Sequence, residues 1–373
     1  MTIEAYDDTG AIHTNLPENK PIKVILIPPE PWQPERDNYI SGREPNPFAI
    51  YDVLAQQNIE VTLFDPHRKP VNPFYGLHPI YMGLDPVRAL KLLIAARKVD
   101  LIISVFETSC VIPIVLRRLF GYAPKIAIWD IVPEENWLPR KILQGISVPR
   151  VDAVFLLSQF HKEYIAERWM QSGVVVGQHI DTSFFVPGSP KSDGPILAIG
   201  DDVGRDFETF VEAVSGLDVE VIVKTRRPLK ISQHAIARFT QIPHRLSFLE
   251  LRDLYAMASM VVVPLHQTLN ASGVGSILEA LAMGKPLVVS DNPPIRDYLA
   301  PDRTCAVVPV GDAIAMRDTI EALRRDPARM VAMGEAGREF VEANFSNPAF
   351  AKRLASEIRK AVGGEGDWQP SRT

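Results

Sequence analysis

Cysteine is almost missing from this chain. Its two copies, Cys110 and Cys305, lie far apart, which argues against a disulfide framework and fits a reducing compartment. No apolar run reaches the ~20 residues of a membrane-spanning helix. The acidic opening, MTIEAYDDTGAIHTNLPENK, has no apolar segment of the kind a signal peptide carries and reads as a loose tail. Charge of one sign is also scarce: the formal net charge is −5, too little for a global pull toward nucleic acid. Internal repeats and low-complexity blocks are absent. These absences leave a globular, cytoplasmic protein with no nucleic-acid partner.

What is there is length and alternation. At 373 residues the chain exceeds one ordinary core, so two domains are expected. Short apolar strands alternate with amphipathic helices throughout. The strands are continuous apolar runs, as in 22–27, 101–105 and 260–264, which suits parallel sheets covered on both faces. A helix is expected over 84–98, with Asp85 or a neighbour as cap and Pro86 in its first turn. A short strand is expected near 246–248, with a helix over 249–258. The 32 prolines fall mostly between apolar runs. The stretch 187–194, PGSPKSDG, reads as an interdomain linker. The predicted layout is a tail over 1–20, an α/β domain over 21–190 and a second over 191–345. A last helix and tail over 346–373 would return toward the first domain.

The most informative stretch is 270–290, NASGVGSILEALAMGKPLVVS. Gly273 and Gly275 precede a helical run that carries one acid, Glu279, and ends at Gly284. A glycine-rich turn entering a helix presents unpaired amides and a positive dipole end, which suit a phosphate. Ser272, Gly273, Val274, Gly275 and Ser276 are the candidate cradle, and Glu279 a candidate acceptor for ribose hydroxyls. The glycines lie in the second half of the chain, unlike those of the dinucleotide fingerprint. In open α/β sheets ligands gather at the carboxyl ends of strands. Arg205 follows the strand 196–199 and Lys224 the strand 219–223, so both converge on that helix start and make a candidate diphosphate site. Asp201 and Asp202 read as loop or capping carboxylates rather than as a metal pair.

Residues 195–345 resemble a GT-B glycosyltransferase of the family-4 type. The segments LRDLYAMASMVVVPL and ILEALAMGKPLVVSD carry the resemblance. In the first half, VDAVFLLSQFHKEYIAERW and VVVGQHIDTSFF are similar to family segments, with His179 where glycine is usual. The resemblance implies two Rossmann-like domains facing a central cleft, the second binding a nucleotide diphosphate sugar and the first an acceptor, with retention at the anomeric carbon. It implies no permanently bound cofactor and no metal. The chain departs from the family's pattern at several positions. Ala271 stands where a first glutamate, seven residues ahead of Glu279, usually holds sugar hydroxyls; Asn270 or Ser272 is the alternative. Ser41-Gly42-Arg43 replaces a glycine pair. Trp129, followed by Asp130, replaces a histidine, and Asp201 an arginine.

The expected role of Arg205, Lys224 and the helix amides is to stabilise the departing diphosphate. An inverting route would instead need a side-chain base, for which Glu107 and Asp130, both at strand ends, are the candidates. His161 and His179 read as structural. The acceptor is a glycan or polyprenyl-linked molecule. The segment 86–125 holds seven Lys/Arg, among them Arg88, Lys91 and Lys98 beside a stripe of Val87, Leu90 and Ile94. This is either the solvated face of a core helix or a contact for anionic lipid at the inner face of the cytoplasmic membrane. Polysaccharide biosynthesis is the expected setting. The alternatives are a nucleotide-sugar epimerase and a non-catalytic GT-B protein that binds a nucleotide sugar. A pyridoxal-phosphate phosphorylase would need a longer chain and a matching lysine segment.

Overall fold

The computed structural model describes residues 20–46, 48–69, 71–72, 84–121, 124–133, 138–188 and 193–363. The N-terminal tail, the middle of the linker and the C-terminal tail expected from the sequence lie outside these residues.

The first half runs β1 (Ile22–Ile27), α1 (Gln33–Asn38), α2 (Ala49–Gln56), β2 (Ile59–Leu63), α3 (Pro86–Ala95), β3 (Leu101–Val105) and α4 (Val111–Phe120). It continues with β4 (Lys125–Trp129), α5 (Leu138–Ser147), β5 (Ala153–Leu156), α6 (Gln159–Trp169) and β6 (Val174–Val175). The strands form a parallel sheet in the order β2-β1-β3-β4-β5-β6. Every residue of β3 is buried, because helices cover both faces. The interior of one face includes Leu92 and Ala96 around α3, Ile114 of α4 and Ile165 of α6.

The second half runs β7 (Ile196–Ile199), α7 (Phe207–Val214), β8 (Glu220–Lys224), β9 (Arg238–Ile242), α8 (Phe248–Met257), β10 (Met260–Val263) and α9 (Val274–Ala282). It ends with β11 (Leu287–Ser290), β12 (Ala306–Val308), α10 (Ala313–Arg324), α11 (Pro327–Phe345) and α12 (Asn347–Gly363). Its parallel sheet has the order β12-β11-β10-β7-β8-β9. Strand order reverses between the adjacent β7 and β10, so the loops that leave those two strands flank a topological switch point, where such sheets hold ligands. The matching point in the first sheet lies between β1 and β3.

The strand expected near 246–248 is not one. Ser247 caps α8 in a capping box with Glu250, and the third strand of this sheet is β9, RFTQI, a half-exposed edge. Helix α12 follows the second domain but packs on the first: Phe350, Leu354 and Ile358 are buried with Val24, Ile50 and Leu54. The halves also meet where β5 passes into α6. Tyr298 Oη donates to Leu157 O at 2.7 Å, and Gln159 N donates to Asp297 Oδ2 at 2.6 Å. His161 Nε2 lies 3.1 Å from Leu269 O, in the loop that leads to α9.

Candidate functional site

Gly273 is the N-cap of α9, at φ +91. That conformation suits glycine, and a Cβ there would press on Val263 Cγ1 at 3.0 Å. The Val274 amide turns back to Ala271 O at 3.4 Å, and the amides of Gly275 and Ser276 follow in the first turn, where a helix has no carbonyl of its own to pair them. Gly275, in the first turn, is exposed with open space above it.

Arg205 reaches the same turn from the loop after β7. It is buried, donating from Nε to Asp202 Oδ2 at 2.7 Å and from Nη2 to Ser276 Oγ at 3.0 Å. Among the described residues Nη1 has no hydrogen-bond partner, and it lies 3.5 Å from where a Gly273 Cβ would sit. A buried guanidinium nitrogen without an acceptor is costly, so this nitrogen is a ready donor to an anion at the helix start. Gly200, at φ +149, makes room for it, since a Cβ there would collide with Arg205 Nε. Arg227 Nη1 donates to the Arg205 carbonyl at 2.9 Å and steadies the loop.

Lys224 ends β8, paired across to Ile199. It stands one strand away from Arg205, and its Nζ lies 3.0 Å from Asp201 Oδ2. Asp201 also takes the Arg226 amide at 2.7 Å. Partial burial pushes the Asp201 carboxyl up, but the Arg226 amide and Lys224 outweigh that and hold it below its ordinary range. Asp201 and Asp202 are thus the two counter-ions of the cationic pair. Among the described residues no hydrogen bond or ion pair joins Arg205 directly to Lys224.

Glu279 lies on α9, where its Oε2 accepts from Tyr255 Oη at 2.7 Å. Burial pushes its carboxyl up to about 7, against the opposing pull of Tyr255 and Arg205. Burial raises the Tyr255 hydroxyl's pKa, and Ser276, which takes the Arg205 hydrogen bond, draws it down against that burial. Two hydrogen-bonded pairs, Arg205 with Ser276 and Tyr255 with Glu279, thus stand next to each other along α9. The sequence reading missed Tyr255, which sits inside LRDLYAMAS as one more apolar position of α8. Its only signal was a hydroxyl in an otherwise apolar stripe. Ala271 is partly buried against the core, and Ser272 packs over Gly204.

Glu107 and Asp130 sit together in the first domain. Glu107 is fully buried; its Oε1 accepts from Arg140 Nε at 2.7 Å and from Gln144 Nε2 at 3.3 Å, and its Oε2 has no partner among the described residues. Asp130 has φ +69. Burial, then the charge of Glu107, raises its carboxyl to about 7. Arg140 and Gln144 come from α5, a helix not read from the sequence. No hydrogen bond or ion pair among the described residues links this pair to Arg205, Lys224 or Glu279. His179 Nδ1 lies 2.8 Å from Asn347 Oδ1, and its ring packs on Phe350. It joins α12 to the body of the protein.

One basic residue of the first domain is misplaced by the sequence reading. Arg88 is buried, donating from Nη1 to Pro28 O at 2.7 Å, so it is no part of a surface patch. Its methylenes and guanidinium fill space under the loop after β1, while Leu90 and Ile94 face outward.

Residues 227–340 match the family model for glycosyl transferases group 1. A GDP-mannose-dependent monoacylated alpha-(1-6)-phosphatidylinositol monomannoside mannosyltransferase of Corynebacterium glutamicum is 30% identical over 119 residues, 31% of each chain. The chain thus spans about a third of the length of that curated relative. Among solved structures, sucrose-phosphate synthase of Thermosynechococcus elongatus superposes with a TM-score of 0.67 at 17% identity, over 92% of this chain and 100% of that one. The Anabaena protein HepE, solved with UDP and glucose, gives 0.62 at 12% identity over 90% of this chain and 98% of that one. The architecture is that of the GT-B glycosyltransferases, and the group 1 segment occupies the second domain, with Tyr255, Gly273 and Glu279 inside it.

Proposed function

We propose that this GT-B chain, whose second domain carries the group 1 glycosyl transferase segment, transfers a sugar from a nucleotide diphosphate sugar to a glycan or lipid-linked acceptor, with retention. The observation that carries the reading is Arg205: a buried guanidinium with one unpartnered nitrogen at the positive end of α9, beside the switch point of the second sheet. A diphosphate there receives the amides of the first turn, Nη1 of Arg205 and, after Asp201 yields, Lys224. As the glycosidic bond breaks, negative charge grows on the leaving diphosphate, and these fixed donors stabilise it without reorganising. Ribose hydroxyls donate to Glu279, which Tyr255 holds in place. In the retaining course the acceptor hydroxyl enters from the leaving-group face and passes its proton to a donor phosphate oxygen. Glu107 and Asp130 are kept for a different task, shaping the acceptor side or serving as base if the reaction inverts.

Ala271 favours a second reading, a protein that binds the donor without turning it over, because its methyl group offers the sugar hydroxyls no acceptor. One experiment separates the two. GDP-mannose and UDP-glucose, the first suggested by the Corynebacterium relative and the second by HepE, are tested with other donors by thermal shift. Each donor that binds is then followed by NMR for hydrolysis and for the product anomer. The proposal expects a raised melting temperature for one nucleotide class and slow release of the α-sugar. Binding without release supports the inert binder; absence of any shift removes the donor site from α9.

A further inference from the structure

We infer that the outer face of α3, α4 and α5 docks the protein onto an anionic lipid surface. The three helices lie side by side on one face of the first sheet. Their outward positions are apolar where water would favour polar side chains: Leu90 and Ile94 on α3, Leu119 and Phe120 on α4, Leu138 and Ile142 on α5, each between 55% and 74% exposed. Single exposed apolar residues are ordinary, but three neighbouring helices with the same defect form a patch, and such patches mark contact sites.

Charge identifies the occupant. The three helices and the single turns that extend α3 and α5 contain no Asp or Glu, in a chain whose net charge is −5. The acids nearest in sequence are committed elsewhere among the described residues. Asp100 accepts the Lys23 amide, Asp152 pairs with Arg117, and Glu107 pairs with Arg140. Glu134 and Glu135 precede α5 and lie outside the described residues. What faces out is Lys91, Arg97 and Lys98 beside Leu90 and Ile94, Arg118 beside Leu119, and the partly buried Lys141 beside Ile142. Apolar side chains ringed by Lys and Arg match the boundary between anionic headgroups and acyl chains, where both parts gain. A second copy meeting this face with its own would set cations against cations. Nucleic acid would satisfy the charges but leave the six apolar side chains without partners. No helix among the described residues is long and apolar enough to cross a membrane, so the contact is a surface one.

This inference stands apart from sugar transfer, because it is read without a donor. The full chain is sedimented with vesicles of phosphatidylcholine alone and of phosphatidylcholine with phosphatidylglycerol, at low and high salt, and its oligomeric state is followed by light scattering. Wild type is expected to bind the anionic vesicles at low salt and to release at high salt. The triple change Lys91→Glu, Lys98→Glu, Arg118→Glu should weaken binding by at least about tenfold. The pair Leu119→Ser, Phe120→Ser should weaken it even at low salt. Unchanged melting temperatures and nucleotide affinities show that both variants are folded. The inference is overturned if wild type ignores anionic vesicles, if both variants bind as wild type does, or if the apolar pair only dissociates a dimer.

Discussion

In the proposed donor site, Arg205 concentrates the interactions of the second domain in one side chain. It bridges the loop after β7 and the first turn of α9, bonded to Asp202 on one side and Ser276 on the other, and its Nη1 has no partner among the described residues. Arg205→Ala is expected to lower turnover by about 10²–10³, the usual cost of removing one transition-state donor, as read by initial rates at saturating donor. Glu279 titrates near neutrality, since its folded carboxyl is raised to about 7 from an ordinary 4.5. The folded state therefore holds this proton more tightly than the unfolded chain does. The stabilisation is complete below pH 4.5 and is lost as pH rises through about 7. Urea titrations across that window should show wild type losing stability relative to Glu279→Gln as pH rises; parallel curves would mean that Glu279 is an ordinary carboxylate. At this scale the positions of Arg205 and Lys224 at strand ends and of Glu279 on a glycine-led helix were legible, because the strands and the glycines that frame them are plain in the sequence. Tyr255 was not, since a tyrosine in an apolar stripe looks like core until its hydroxyl partner is seen.

At the scale of elements, α9 carries the proposed donor site, and its start depends on Gly273. Gly273→Ala places a side chain in a left-handed conformation and against Val263. It should cost about 1–3 kcal/mol in chemical denaturation and weaken nucleotide binding as the turn shifts. This helix was readable because glycines before it and Gly284-Lys285-Pro286 after it fix both ends. Edge strand β9 was not, because RFTQI is half exposed and polar at alternate positions and lacks the apolar run that marks the buried strands. Helix α3 was found, but not its orientation. Periodicity groups Val87, Leu90 and Ile94 into an apolar stripe, whereas the helix buries Arg88, Ala89 and Leu92. A buried arginine with carbonyl partners defeats a pattern that sorts residues by polarity alone.

At the scale of the molecule, the last helix ties the two sheets together. Phe350 of α12 is fully buried in the first domain, stacked on Trp129 at 5.6 Å and beside His179 at 4.7 Å. Phe350→Ala should therefore cost about 3–5 kcal/mol in unfolding. The loss should register on the first domain although residue 350 follows the second in sequence. The two-sheet plan could be read from the alternation of apolar runs and amphipathic helices, and the candidate site was placed from the ends of those runs. The contacts between the halves, such as Tyr298 with Leu157, could not, since they join residues with no shared local pattern. The central claim is that the diphosphate of a nucleotide donor lies between the start of α9 and Arg205. Isothermal titration calorimetry of GDP and UDP against wild type and Arg205→Ala tests it most directly. The account predicts one site for one of the two nucleotides in wild type, with affinity falling by roughly 10–100-fold in the variant. Equal affinities in the two proteins, or no binding of either nucleotide to wild type, would contradict it.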